Sequence, residues 1–273
     1  MRFGLRMYDI RVTDVRSTRR RPEAMISEMD SLQIADLEEI ARRAPRDAAN
    51  LRRLGGALLA LGRNVAAVGV LTRAVDAEPT NIRGHNNLGQ ALLQVRRLAE
   101  ALACFARALE LDPGYGIARF NLGLTLEALE RPTQALQQYD ALVELHPTHQ
   151  AGWARRGALQ WRLGRSSESL SSLDRALAMR ADDNSSLTLR AAALLSLERA
   201  PEALASADQA LERDPLLVEA LQYRAAALSQ LQQFDAARGC LERALQLAPE
   251  AERAEVWCNL AVIHQGLGDA PAA

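Results

Sequence analysis

The sequence lacks lysine altogether; all 33 of its basic residues are arginine. No Schiff-base chemistry and no phosphate-binding loop lysine is therefore available to it. The bland reading of this bias is a GC-rich, bacterial coding genome, with a deliberately lysine-free design as the alternative. Aromatic residues are scarce, at 4% of the chain. The 48% of apolar residues is mostly Ala and Leu, a mixture suited to closely packed helices rather than a β-sandwich. Three cysteines, Cys104, Cys240 and Cys258, lie far apart with no CxxC spacing, which excludes a zinc ribbon and a redox dithiol. They read as small core residues in a reducing compartment, so the expected location is the cytoplasm. No apolar run approaches the length of a membrane span. Nor does the net charge of −1 supply a field that would draw the molecule to nucleic acid or a membrane.

Catalytic patterns are missing too. GxGxxG, Walker A, HExxH and GxSxG do not occur. His146-Pro147-Thr148-His149 has the look of a metal pair, but no nearby Cys, Asp or Glu completes a set, so both histidines read as solvated turn residues. The expectation is a chain that is not an enzyme and carries no cofactor, no metal and no catalytic residue.

What is present is a period. Prolines stand at 45, 79, 113, 147, 215 and 249, with Ala181 filling the gap, and every step is 34 residues. A second column runs Gly55, Gly89, Gly123, Gly157, Ala191 and Ala225. A third runs Ala67, Ala101, Ala135, Ser169, Ala203 and Ala237, and a fourth Ala74, Ala108, Leu142, Ala176, Ala210 and Ala244. Four columns in one register define a repeat. Within it, His85, Leu88, Gly89, Leu92 and Val95 recur at helical spacing, as do Ala101, Phe105 and Ala108. A break near Arg96-Arg97 separates these two helices, and Asp112-Pro113-Gly114 ends the pair. Small residues in the Gly89 and Ala101 columns let the two helices approach. Pro132 and Pro201 fall in the first turn of a second helix, where a missing N–H costs nothing.

These columns resemble the tetratricopeptide repeat (TPR) family, and the resemblance covers about 48–251 as six full units. It implies an all-α fold, a right-handed superhelical α-solenoid of antiparallel helix pairs with caps at both ends. Ahead of the units, residues 1–30 form a basic segment with seven Arg in the first 22 residues. That segment reads as a disordered tail, lying upstream of a true start at Met25 or Met29, or as a basic docking arm. Residues 31–47 hold a capping helix in which Leu37 and Ile40 keep the register of a second helix. After Pro249 the register slips by two, and 252–273 form a partial seventh unit through Trp257, Leu260, Ala261, His264 and Leu267. In the later units Arg156, Arg190 and Arg224 replace the leucines of the early ones, while Asp174, Asp208 and Glu242 appear eighteen residues on. The expected consequence is an Arg–carboxylate bridge inside each late unit.

Family membership would also place the function. In such arrays the first helices line a concave groove that holds extended peptides. Carried over, those positions are Leu59, Arg83, Asn86, Asn87, Gln90, Leu93, Ile117, Phe120, Asn121, Leu124, Trp161, Arg162 and Leu195. Phe120, Leu124 and Trp161 are the expected apolar anchors, with the asparagines holding backbone and Arg83 and Arg162 selecting an acidic flank. The asparagine ladder of O-linked N-acetylglucosamine transferases is broken here by Arg53, Arg155, Leu189 and Tyr223. The Lys- and Arg-rich clamp of heat-shock co-chaperones is absent. The implied function is a protein-interaction scaffold whose partner is a protein or peptide segment, extended and with apolar anchors, rather than nucleic acid or membrane. The alternative is the substrate-recruiting region of a larger repeat-bearing glycosyltransferase or sulfotransferase. The sequence is silent on oligomeric state.

Overall fold

The computed structural model describes residues 35–268, and no strand occurs among them. The basic tail, the candidate starts at Met25 and Met29, the first residues of the expected capping helix and residues 269–273 lie outside the described residues. Helix α1 covers 35–43. Six antiparallel pairs follow: α2 (Ala48–Ala60) with α3 (Asn64–Ala77), α4 (Ile82–Gln94) with α5 (Leu98–Leu111), α6 (Gly116–Ala128) with α7 (Pro132–Leu145), α8 (Gln150–Arg162) with α9 (Ser166–Met179), α10 (Asn184–Ser196) with α11 (Ala200–Arg213), and α12 (Val218–Gln230) with α13 (Phe234–Leu247). Helix α14 (Glu250–Leu267) closes the series. The described chain forms two compact units, one ending at His146 and one beginning at Pro147. Each is a solenoid of antiparallel helix pairs, the fold class expected from the repeat.

The glycine column has a direct packing reason. A Cβ built on Gly55 would lie 2.4 Å from Leu71, one on Gly89 2.8 Å from Phe105, one on Gly123 2.5 Å from Tyr139, and one on Gly157 2.7 Å from Leu173. In each case the large side chain sits sixteen residues on, on the paired second helix. It fills the space that the absent side chain leaves. Those four residues are fully buried, as interiors packed to crystal density require.

The break inside each pair is a helix C-cap of one kind. Gly62, Arg96, Glu130, Gly164, Glu198 and Gln232, again 34 residues apart, all take a positive φ between 57° and 76°. The next amide closes back over six residues, as in Arg97 N–H to the Leu92 carbonyl at 2.9 Å and Arg131 N–H to Leu126 at 2.9 Å. This satisfies carbonyls that the helix end would otherwise leave open. The next member of the series is Gly268 (φ 76°), 36 residues on, so the two-residue slip after Pro249 is a feature of the backbone.

Between pairs, the proline column turns the chain and the following helix secures the turn. His85 Nε2 lies 2.8 Å from the Pro79 carbonyl, Arg119 donates to Pro113 at 2.7 Å, and Trp153 Nε1–H donates to Pro147 at 2.9 Å. Three unlike side chains thus do one job, each six residues after its proline. Leu187, which follows Ala181, has no polar atom to do it with. His85 is buried. Asp47 and Asn81 cap the starts of α2 and α4 by accepting from the amides of Asn50 and Gly84.

The late arginines pair differently from the expectation. Arg190 Nε donates to Asp174 at 2.6 Å and Arg224 Nε to Asp208 at 2.6 Å, so each reaches sixteen residues back to the preceding pair. The bridge within each unit runs instead to a small acceptor sixteen residues forward. Arg156 donates to Ser172 at 2.9 Å, Arg190 to Ser206 at 2.6 Å and Arg224 to the Cys240 sulfur at 2.9 Å. One guanidinium carries several donors in a fixed fork, so it staples its own second helix and the previous one together. A double-mutant cycle on Arg190→Leu and Asp174→Ala, read by urea unfolding, should return a coupling of about 0.5–1 kcal/mol, small because Asp174 is half exposed. The same cycle on Arg190 and Asp208 should return almost none. A larger coupling in the second cycle would restore the within-unit bridge.

Candidate functional site

First helices of the amino-terminal unit carry ten of the thirteen expected groove residues, and they do not behave alike. A recess of about 380 Å³ opens between α2, the start of α3 and α4. Its lining is Gly56, Leu59, Ala60, Asn64, Asn87, Gln90 and Gln94. Leu59, Asn87 and Gln90 are expected site residues brought together; Gly56, Ala60, Asn64 and Gln94 were missed. The missed residues could have been found from the repeat itself. Gly56 follows Gly55 but meets nothing within 4 Å of where its Cβ would be, so it is not a packing glycine. It shapes a surface. Four carboxamides and no charged group face this space, and each carboxamide offers both a donor and an acceptor.

Behind the recess an amide relay links two pairs. Asn121 Nδ2 donates to Asn86 Oδ1 at 3.1 Å, and Asn86 Nδ2 donates to Asn87 Oδ1 at 3.4 Å. The relay fixes which way the Asn87 amide points: its oxygen faces Asn86, so its nitrogen is on the opposite side. Asn86 itself is only 4% exposed and is a packing element between α4 and α6, a correction to its expected place on the groove surface. Asn121 is half-buried with it. Arg83 and Gln90 are exposed on α4, Leu93 half-buried beside them. On α6, Ile117 is exposed and Phe120 and Leu124 are half-buried. The Phe120 ring lies 6.0 Å from that of Tyr139 at a tilt of 50°, an edge-leaning contact with the core of its own pair. Tyr139 is in turn held by its hydroxyl, which donates to Glu127 at 2.6 Å.

Trp161, Arg162 and Leu195 belong to the carboxy-terminal unit. Two of them overturn the expectation of groove exposure: Trp161 is 6% exposed and Leu195 2%. They share a core cluster with Leu170, Ala191, Ala192, Ala193, Leu194 and Tyr223. The physical reason is the run of alanines on α10, whose methyl side chains leave room for the indole to enter between helices. Burial, followed by the carboxylates of Glu219 and Glu255, pushes the Tyr223 phenol well above its ordinary range, so it stays neutral in this cluster. Arg162 is half-buried. In this unit the Trp153 ring lies against cations, with the guanidinium carbons of Arg156 and Arg175 at 5.4 and 5.8 Å. A shallow hollow of about 390 Å³ nearby is lined by α9 alone and includes Asp174, already held by Arg190.

Elsewhere the chemistry is structural. His146 Nε2 lies 2.8 Å from the Gly114 carbonyl, and His149 Nδ1 caps α8 by accepting from the Gly152 amide at 2.9 Å. Both histidines are thus engaged by the backbone, which corrects their reading as merely solvated. Burial and then Glu100 push the Cys104 thiol up to about 11, which leaves it protonated and a poor nucleophile near neutrality. Among the described residues no group of three or more His, Cys, Asp or Glu is placed to hold a metal ion. No described helix is long and apolar enough to cross a membrane.

A family model described as tetratricopeptide repeat matches residues 34–82, 86–149 and 155–217, and a second of the same description matches 218–251. No curated protein matches the chain. Among solved structures, the chain is similar to YrrB, a TPR protein with an unusual peptide-binding site, at 20% identity and a TM-score of 0.61, covering 70% of this chain and 98% of that one. It is similar to pilF of Pseudomonas aeruginosa at 18% identity and a TM-score of 0.68, covering 80% and 99%. MamA from Desulfovibrio magneticus RS-1 is a further likeness, at 18% identity and a TM-score of 0.58, covering 61% and 94%.

Proposed function

The chain belongs to the tetratricopeptide repeat family, and from that premise we propose that it is a protein-interaction scaffold that holds an extended peptide segment in the recess between α2 and α4. The observation that carries this reading is the lining of that recess. Four carboxamides surround a floor of Gly56, Leu59 and Ala60, with no charge among them. An extended segment has an unsatisfied N–H or C=O at every residue, and side-chain amides can meet both. The relay through Asn86 presents the Asn87 nitrogen as a donor to a peptide carbonyl, already oriented before the ligand arrives. Leu59 supplies apolar contact within the recess, and the exposed Arg83 would favour an acidic residue beside the bound segment. YrrB, with its peptide-binding site, is consistent with this use of the fold. Three free thiols suit such a scaffold to the reducing cytoplasm.

Peptide selection from a displayed library tests the reading. Segments enriched on the wild-type chain should lose about 10- to 30-fold in affinity on Asn87→Ala with Gln90→Ala, the equivalent of one or two backbone hydrogen bonds. Both side chains lie outside the buried core, so helicity and melting should stay close to wild type. Selected peptides that bind the double variant as tightly as the wild type would remove the recess from the function.

A further inference from the structure

The two ends of the described array are halves of a pair. Each complete pair consists of a first helix, with its Gly or Ala column, and a second helix that packs a residue onto it sixteen positions on, large in every pair but the fifth, where it is Ala207. Helix α1 stands in the register of a second helix: Leu37 falls 34 residues before Leu71, and Ile40 34 before Ala74. In the six complete pairs the residues in these two columns are at most 1% exposed. Here Ile40 is 38% exposed and Leu37 half-buried. Helix α14 stands in the register of a first helix. Aligned on its left-handed cap at Gly268, Ala261 takes the glycine column and Trp257 the place of Leu221 and Leu187. Those two leucines are 3% exposed, and Leu187 shares its core cluster with Ala210 of the paired second helix. Trp257 is 56% exposed, and Ala261 is exposed as well. The opposite face of α14, through Val256, Leu260 and Ile263, is already buried on α12 and α13.

We propose that the chain associates head to tail with a second copy of itself, the α14 of one molecule and the α1 of the next forming a seventh helix pair. The columns specify the contact. Leu37 of one copy sits on Ala261 of the other, the same pairing as Leu241 on Ala225, and Ile40 meets Trp257, as Ala210 meets Leu187. The interface is the one the molecule already builds six times, so its occupant is dictated by the repeat. Both faces are used once per molecule and they differ, so the contact is heterologous, and each added copy presents a fresh face to the next.

Sedimentation velocity on the 273-residue chain tests this. The weight-average mass should rise with concentration above that of the monomer. Trp257→Glu and Ile40→Glu should each weaken association at least about tenfold, as loss of a buried anchor does. Each should keep the helical circular dichroism of the wild type. An equimolar mixture of the two variants should form a 1:1 dimer that grows no further, because one intact α14 and one intact α1 remain. As an independent check that leaves both ends native, a second copy of the Phe234–Leu247 sequence appended after Ala273 should cover α14 and stop growth. A wild-type chain that stays monomeric at its highest soluble concentration would overturn the proposal. So would a mass that levels off at a dimer which either single variant retains, since that describes a two-fold contact through one face.

Discussion

Replacing Trp161 with alanine should destabilise the carboxy-terminal unit by about 3–5 kcal/mol, the range for removing a large buried aromatic from a core. The indole is almost wholly buried among Leu170, Leu194, Leu195 and the three alanines of α10. Alanine methyl groups cannot grow into the vacated volume, and the helices that carry them are tied to their own partners, so the site cannot readily collapse. The cost therefore belongs toward the top of the range. Trp257→Ala makes the control at a concentration where the chain is dilute: that side chain is more than half exposed, and its loss should change stability by little. Urea unfolding of the two variants measures the contrast. If Trp161→Ala melts with the wild type, and in a Trp153→Phe, Trp257→Phe background the one remaining indole is quenched by a water-soluble quencher, the side chain faces solvent and the groove regains an anchor.

Gly123→Ala should be the second large loss, from the addition of one methyl group. Its Cβ would fall 2.5 Å from the Tyr139 ring, and that ring is anchored by its hydroxyl on Glu127 and packed against Phe120. Alanine is otherwise the better helix former by about 1 kcal/mol, so a net destabilisation of about 1–3 kcal/mol means that overpacking exceeds the propensity gain. Tyr139→Ala alone leaves a cavity and should cost about 3–5 kcal/mol. In the double variant alanine faces alanine, as Ala191 faces Ala207 in the fifth pair, and the combined loss should fall short of the sum by about 1 kcal/mol or more. Gly56→Ala reverses the sign. Nothing lies within 4 Å of that position, so the array should gain slightly in stability while the recess narrows. A Gly123→Ala chain as stable as the wild type would show that the two helices of the third pair can part to admit a methyl group.

The repeat was legible because its columns are made of residues that packing leaves little choice about. Gly, Ala and Pro stand where a Cβ or an N–H is the deciding atom, so the same letters recur every 34 residues. The left-handed caps were not legible. Gly62, Arg96, Glu130, Gly164, Glu198 and Gln232 share a backbone conformation but no side-chain property, and only the spacing of the neighbouring columns locates them. The turn-securing column was hidden for a similar reason, since His85, Arg119 and Trp153 have in common only a donor of suitable reach. The late arginines were correctly seen as paired but assigned to the wrong acid. Spacing along one unit reads i+18 as near, whereas the side chain leans toward the preceding helix at i−16. Of the groove, the carried-over positions located Leu59, Asn87 and Gln90 beside the recess. They misplaced Trp161 and Leu195 because a position that is open in most repeats closes when its neighbours shrink to alanine.

The order of helix contacts has a bearing on how fast the chain finds its native state. Within each compact unit, the helices from α2 onward that touch are neighbours along the chain or next but one. The hydrogen bonds that join neighbouring pairs, such as Asn121 to Asn86, Gln150 to Asp183 and Gln230 to Leu195, span 33 to 35 residues. The largest loop that must close before such a contact is rewarded is therefore a single repeat, however many repeats are added, and the entropy of closure does not grow with the array. Folding can start at any pair and spread to its neighbours. The same near-identity of pairs invites pairing out of step by one repeat. A tryptophan that fits only beside three alanines, and arginines that find carboxylates only in the later pairs, make the shifted arrangement a poor match and steer the chain to the right one.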